Sequence, residues 1–113
     1  MTDCIFCKIV AGEIPSRKAY EDDMVLAFHD ISPVAPVHIL VIPKEHIKSA
    51  ASLGQQHAEL LGQIFAVIAK LADEFGLSEG FRVVSNAGEM AGQTVSHLHF
   101  HLLGGRLLTW PPG

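Results

Sequence analysis

The run Val95-Ser96-His97-Leu98-His99-Phe100-His101-Leu102-Leu103 constrains this chain more than any other stretch. Three histidines alternate with apolar residues inside a β-favouring sequence. Successive strand side chains point to opposite faces, so His97, His99 and His101 are expected on one face, with Leu98, Phe100 and Leu102 on the other. Each imidazole has two ring nitrogens that need partners when buried, and an ordinary core has little use for three in a row. A solvated strand face would use Thr, Lys or Glu instead. The row therefore reads as a site, open to metal, acid–base or covalent chemistry.

Composition narrows the setting. A chain of 113 residues makes one domain, 1–113, with a real core and little depth for a pocket. Apolar residues make up 49% and charged residues only 18%, so a second copy is expected to cover apolar surface as a homodimer. A formal charge of −4 argues against broad nucleic-acid or membrane-surface binding. No N-terminal apolar run resembles a leader and nothing approaches a membrane span, so a soluble, cytoplasmic protein is expected. Cys4 and Cys7, the only cysteines, are spaced for metal or redox use.

In chain order, residues 3–10 read as a short helix with Asp3 as its N-cap. Residues 18–21 and 25–29 read as strands joined by a polar turn, and Pro33 and Pro36 rigidify a loop. Residues 38–42 form a β-branched strand closed by Pro43. Ser52-Leu53-Gly54-Gln55 resembles a capping box. Leu53, Leu60, Leu61, Ile64, Ile68, Leu71 and Phe75 then recur at helical spacing up to Gly76. Residues 81–85 form a strand, 86–93 a Gly-rich loop and 94–103 the histidine strand, with a tail from Gly104 to Gly113. Five strands with short connections and one long helix predict an α+β fold on an antiparallel sheet.

The motifs go further together. His97-Leu98-His99-Phe100-His101-Leu102-Leu103 resembles the signature of the histidine triad superfamily. Ile5-Phe6-Cys7-Lys8-Ile9, Ala27 to Pro33, His38 to His46 and Trp110-Pro111-Pro112-Gly113 resemble its nucleotide-binding branch, so the likeness covers nearly the whole chain. The resemblance implies a purine nucleoside phosphoramidate hydrolase whose sheet continues across a homodimer and which needs no catalytic cofactor. His99 would attack the α-phosphorus to form a nucleotidyl-histidine, with His101, His38 and His97 completing the catalytic set. Neutral imidazole is a competent nucleophile near pH 7, and either His101 or His38 could protonate the leaving amine.

The same resemblance assigns the nucleotide's contacts. Gly92, Gln93, Thr94 and Asn86 would face the phosphate, with Thr94 where relatives often carry Ser. Asp30 would take the ribose hydroxyls. Ile5, Phe6, Phe28, Ile31 and Leu40 would wall the base beside His29, and Trp110 would reach the partner subunit's site. Read without the family, the apolar residues are core and Asp30 and Asn86 belong to turns. His57 is expected to lie at the surface without a chemical role. Some relatives hold structural zinc on two cysteines and two histidines, and Cys4, Cys7, His46 and His97 occupy those positions. Other readings of the same residues are a metallohydrolase gripping zinc with all three histidines, a nucleotide-binding regulator or scaffold, and a dinucleoside polyphosphate hydrolase.

Overall fold

The computed structural model describes residues 3–113. Helix α1 (Ile5–Val10) precedes strands β1 (Lys18–Glu21), β2 (Val25–His29) and β3 (Val37–Pro43). Two 3-10 turns, Ala50–Ser52 and Gln55–His57, lead into helix α2 (Ala58–Glu74); β4 (Phe81–Val84) and β5 (Phe100–Gly104) follow. The strands form one antiparallel sheet in the order β1-β2-β3-β5-β4. This is the α+β architecture that the pattern predicts.

Two layers cover the two faces of the sheet. On one face Leu60, Ile64, Val67, Ile68 and Leu71 of α2 bury against Val25, Ala27, Ile39, Val41, Phe100 and Leu102. Their three- and four-residue spacing turns one stripe of the helix inward. The helix closes with Gly76 at φ 73°, Gly76 N–H donating to Asp73 O and Leu77 N–H to Ala72 O, the two bonds of a Schellman cap. Leu77 then packs into the core so closely that a Cβ on Gly104 would lie 2.7 Å from its methyl groups. A side chain at position 104 cannot be accommodated without moving Leu77. On the opposite face α1 packs Phe6 and Ile9 against Leu26, Phe28, Leu40 and Ile42.

Local expectations differ from the structure at three element ends. The N-cap of α1 is Cys4, whose Sγ accepts the Cys7 N–H at 3.3 Å, and not Asp3. The turns before α2 are capped by the Ser49 hydroxyl on Ala51 N–H and by His57 Nδ1, which accepts the Gly54 N–H; Ser52 makes no such box. His57 thus has a structural use. The histidine strand is regular only from Phe100, and residues 94–99 run outside the ladder.

Candidate active site and metal centre

Strand alternation puts Leu98, Phe100 and Leu102 into the α2-side core, as the pattern predicts, and turns the histidines toward α1. They do not form a single row there. His97 precedes the regular strand, and its ring stands 5.0 Å from His46, whereas the His99 ring stands 5.1 Å from His101. The Phe6 ring packs edge-on against both His97 and His99, at 5.9 and 5.1 Å. The shared face expected of the three histidines is therefore two neighbouring sites.

In the first site, hydrogen bonds to groups of fixed character determine the tautomers. The His97 carbonyl can only accept, so His99 Nδ1 carries the proton in their 2.7 Å contact, leaving Nε2 as the lone-pair nitrogen of the neutral ring. His38 Nδ1 accepts the Val34 N–H at 3.1 Å. Its Nε2–H therefore donates to His101 Nδ1 at 2.9 Å, and His101 presents Nε2–H outward. A bare nitrogen on His99 thus stands beside a proton-bearing nitrogen on His101. Burial, then the neighbouring His99 and His38, push the His101 pKa down from 6.5 to about 4. Burial likewise lowers that of His38, against the opposing pull of Asp30. Asp30 Oδ2 lies 3.5 Å from His38 Nε2, while its Oδ1 accepts the Ser32 N–H at 2.8 Å and fixes the turn.

The second site joins α1 to the β3 end and the segment before β5. Ligand atoms of Cys4, Cys7, His46 and His97 all lie within 4.8 Å of one another. Cys4 Sγ and Cys7 Sγ stand 3.3 and 3.6 Å from His97 Nδ1, and Cys7 Sγ stands 3.2 Å from His46 Nδ1. A tetrahedral zinc ion with its usual bond lengths needs ligand separations of about 3.3–3.8 Å, so this donor set fits structural zinc. His97 Nε2–H donates to Pro43 O at 2.8 Å, which leaves Nδ1 unprotonated and available as a ligand. Burial holds His97 toward the neutral form, and burial together with Cys4 raises the Cys7 thiol. Two adjacent thiolates call for a cation between them.

The nucleotide contacts expected from sequence divide. Phe6, Phe28 and Leu40 are buried and form a floor, with Ile5 half-exposed and Ile31 99% exposed at the rim. His29 does not join that wall. Its ring packs on Phe75 at 5.4 Å, on the α2 side, because neighbouring strand residues cannot share a face with Phe28. Gln93 also departs from its expected role. Its amide accepts the Gly88 N–H and donates to the carbonyls of Lys48 and Val95, and its own N–H donates to Gly88 O. Gln93 is the pin of the loop; Thr94 and half-exposed Asn86 lie beside it. Gly92 sits at φ 87°, which favours glycine there, and its N–H donates to Glu89 O. Ser85 went unread in the sequence: its hydroxyl donates to the His99 carbonyl at 2.8 Å. Trp110 is 80% exposed, and a concavity of about 710 Å³ lined by residues 76–82 and 105–108 includes none of the histidines.

The alternating His97, His99 and His101 run, with the His99 and His101 rings adjacent on one sheet face, marks a histidine triad protein. The HIT domain family model matches residues 11–108, and the chain belongs to this family. It is 53% identical over 111 residues to an uncharacterized HIT-like protein of Synechococcus elongatus, covering 98% of this chain and 97% of that one. It is 48% identical to a 14 kDa zinc-binding protein of Brassica juncea, covering 98% and 100%. The crystal structure of a HIT family hydrolase from Legionella pneumophila superposes with a TM-score of 0.97 at 49% identity, covering 98% of this chain and all of that one.

Proposed function

We propose that this chain hydrolyses purine nucleoside phosphoramidates through a covalent nucleotidyl-histidine on His99, in the manner of the nucleotide-binding branch of its family. The observation that carries the reading is the tautomer pair: His99 Nε2 bare, His101 Nε2–H beside it. The His99 lone pair attacks the α-phosphorus, the P–N bond breaks and the amine leaves with its electron pair. The anionic phosphate raises the proton affinity of the His38–His101 pair, so substrate enters with one added proton on it. His101 delivers that proton to the departing amine. In the second half, water attacks phosphorus, His99 leaves as neutral imidazole, and the proton lost by water returns to His101. The products are the nucleoside monophosphate and the free amine.

The remaining residues follow from this chemistry. Asp30 Oδ2 is aimed to accept from a ribose hydroxyl, and Ile5 and Ile31 close over a base resting on the Phe6–Phe28–Leu40 floor. The Asn86–Thr94 loop supplies donors to phosphate, with Gln93 holding its shape. When bound, zinc ties α1 to the strand ends through Cys4, Cys7, His46 and His97, as the name of the Brassica relative suggests. With His97 committed to that centre, a metallohydrolase using all three histidines is disfavoured.

A homodimer is supported by the difference between the sheet's edges. Edge strand β1 carries the Lys18–Glu21 and Lys44–Glu21 ion pairs, which discourage pairing, while edge strand β4 is Phe-Arg-Val-Val with Phe81 45% exposed. Exposed Leu107 and Trp110 lie in the tail that Arg82 of β4 holds by Thr109 O at 2.8 Å. Pairing through β4 would direct Trp110 toward the partner's site. No helix of the described residues is long and apolar enough to cross a membrane.

The test is rapid-quench incubation of wild type and His99→Gly with adenosine 5′-monophosphoramidate, read by intact mass. A transient adduct of nucleotidyl mass, absent from the variant together with turnover, is the expected result. Full activity in His99→Gly sinks the covalent mechanism. Nucleotide binding without turnover in the wild type turns the reading toward a regulator.

A further inference from the structure

We infer that the Cys4–Cys7–His46–His97 centre positions the nucleophile: the cysteines and His46 act, through His97, to hold His99 in the tautomer with a bare Nε2. The inference rests on the proposed role of His99 and adds a residue-level device behind it.

His97 is held chiefly through its side chain. Its backbone lies outside the regular ladder, which begins at Phe100. Next to it, Leu98 N–H donates to Ile47 O at 2.6 Å. The His97 side chain is fully buried and tied at both nitrogens, Nε2–H to Pro43 O and Nδ1 to the thiols. The carbonyl of this same residue, anchored by its ring, is the acceptor at 2.7 Å that fixes the His99 proton on Nδ1. A second route reaches the same ring. Phe6 lies between Cys4 and Cys7 on α1 and packs edge-on against both His97 and His99. When the thiols release His97, its ring keeps only the Pro43 bond, and the positions of its carbonyl and of Phe6 are less tightly fixed. His99 then has no fixed acceptor at Nδ1, and part of the population carries its proton on Nε2, where it cannot attack phosphorus. Outer partners that orient a reacting imidazole are worth roughly 10–100-fold in activity.

Full-length protein labelled with ¹⁵N-histidine is prepared zinc-loaded, chelator-stripped, and as the Cys4→Ser/Cys7→Ser double variant. Two readouts are taken: the His99 tautomer from its ring nitrogen resonances, and kcat and KM for adenosine 5′-monophosphoramidate. Loaded protein is expected to show His99 protonated on Nδ1 alone. Stripping, and the double variant, should give a mixture of tautomers and lower kcat roughly 10–100-fold, with KM within about twofold. Returning zinc to stripped wild type should restore both signals, which a general loss of folding would not do. If stripping unfolds the chain, the same readouts are taken on His46→Ala under saturating zinc, where His97 keeps the thiols but the centre is loosened. A folded, stripped protein or His46→Ala with unchanged tautomer and kcat overturns the inference. A tautomer that follows zinc in a protein that turns over nothing upholds the positioning and defeats the hydrolase reading. Turnover indifferent to zinc with a fixed tautomer does the reverse.

Discussion

His97 and His101 are four residues apart, lie on the same side of the sheet and are both held toward the neutral form by burial, yet their hydrogen bonds suit them to different chemistry. His97 has both ring nitrogens turned inward, one to Pro43 O and one to the thiols of α1. His101 receives a proton from His38 on Nδ1 and keeps Nε2–H free beside His99. The residue type and the alternating motif are the same in both. What differs is the partner of the second nitrogen, and that partner decides whether an imidazole is a ligand or a proton carrier. His99 sits between them and draws on both sides, its Nδ1 on the His97 carbonyl and its ring on His101.

Exchanging each histidine for alanine should separate the two roles. His101→Ala should lower kcat about 10²–10⁴-fold while leaving thermal stability near wild type, since general acid–base groups contribute on that scale. His97→Ala leaves two thiols and His46 without a fourth donor and opens a fully buried site. It should cost about 3–5 kcal/mol in urea unfolding. Equal stability losses in the two variants would erase the distinction.

A pH experiment sharpens the same contrast with a smaller effect. His101 titrates at about 4 in the folded chain and near its ordinary value of 6.5 when unfolded. Between those values the unfolded chain binds more protons, so stability falls as pH drops from about 6.5 to about 4 and this group contributes no further change below. The shift corresponds to on the order of 2–3 kcal/mol. The informative quantity is the stability of wild type minus that of His101→Asn, which should be constant above about pH 6.5 and fall progressively toward pH 4, because only the wild-type unfolded chain takes up this proton. A pH-independent difference would mean that His101 is not held neutral by its surroundings.

How much of this was legible follows from the range of the interactions. The α2 stripe and the first four strands are local patterns, and they appear within a residue or two of where the spacing puts them, whereas the fifth strand, expected over 94–103, is regular only over Phe100–Gly104. The division of the histidines is tertiary: His97 leaves the strand because Pro43 O, Ile47 O and the thiols engage it and its neighbour, and none of these is near in sequence. The cap of α1 was missed because a thiol takes the place of the usual oxygen, which composition rules assign to Asp3. His29 was placed beside the base by the resemblance alone, and strand alternation argues against it, since Phe28 and His29 are adjacent and point to opposite faces, His29 onto Phe75. Gln93 was expected to face the phosphate, and its side-chain amide bonds within and beside the loop instead. Its partners Lys48, Gly88 and Val95 are invisible until the chain is folded. Gln93→Ala should therefore cost about 1–3 kcal/mol in urea unfolding, with KM rising as the loop loosens. A change in kcat alone, at unchanged stability, would return the amide to the phosphate.

The smallest expected effect belongs to Ser85, and it probes the His99 backbone from the side opposite His97. At Val84 and His101 the β4–β5 ladder ends, and the Ser85 hydroxyl extends it by one bond to the His99 carbonyl at 2.8 Å. Ser85 is only partly buried, so water can replace the hydroxyl in Ser85→Ala, and the loss should be about 1 kcal/mol. The His99 ring retains its bond to the His97 carbonyl in this variant, so its tautomer should not change and kcat should fall only a few-fold. This differs from disrupting the metal centre, which acts on the ring's own acceptor. Measured together, the two perturbations distinguish holding the His99 backbone from fixing its proton. If Ser85→Ala alters the tautomer as much as zinc removal does, the selectivity of the His97 side is lost, and the whole β4–β5 end must be counted as one clamp on the nucleophile.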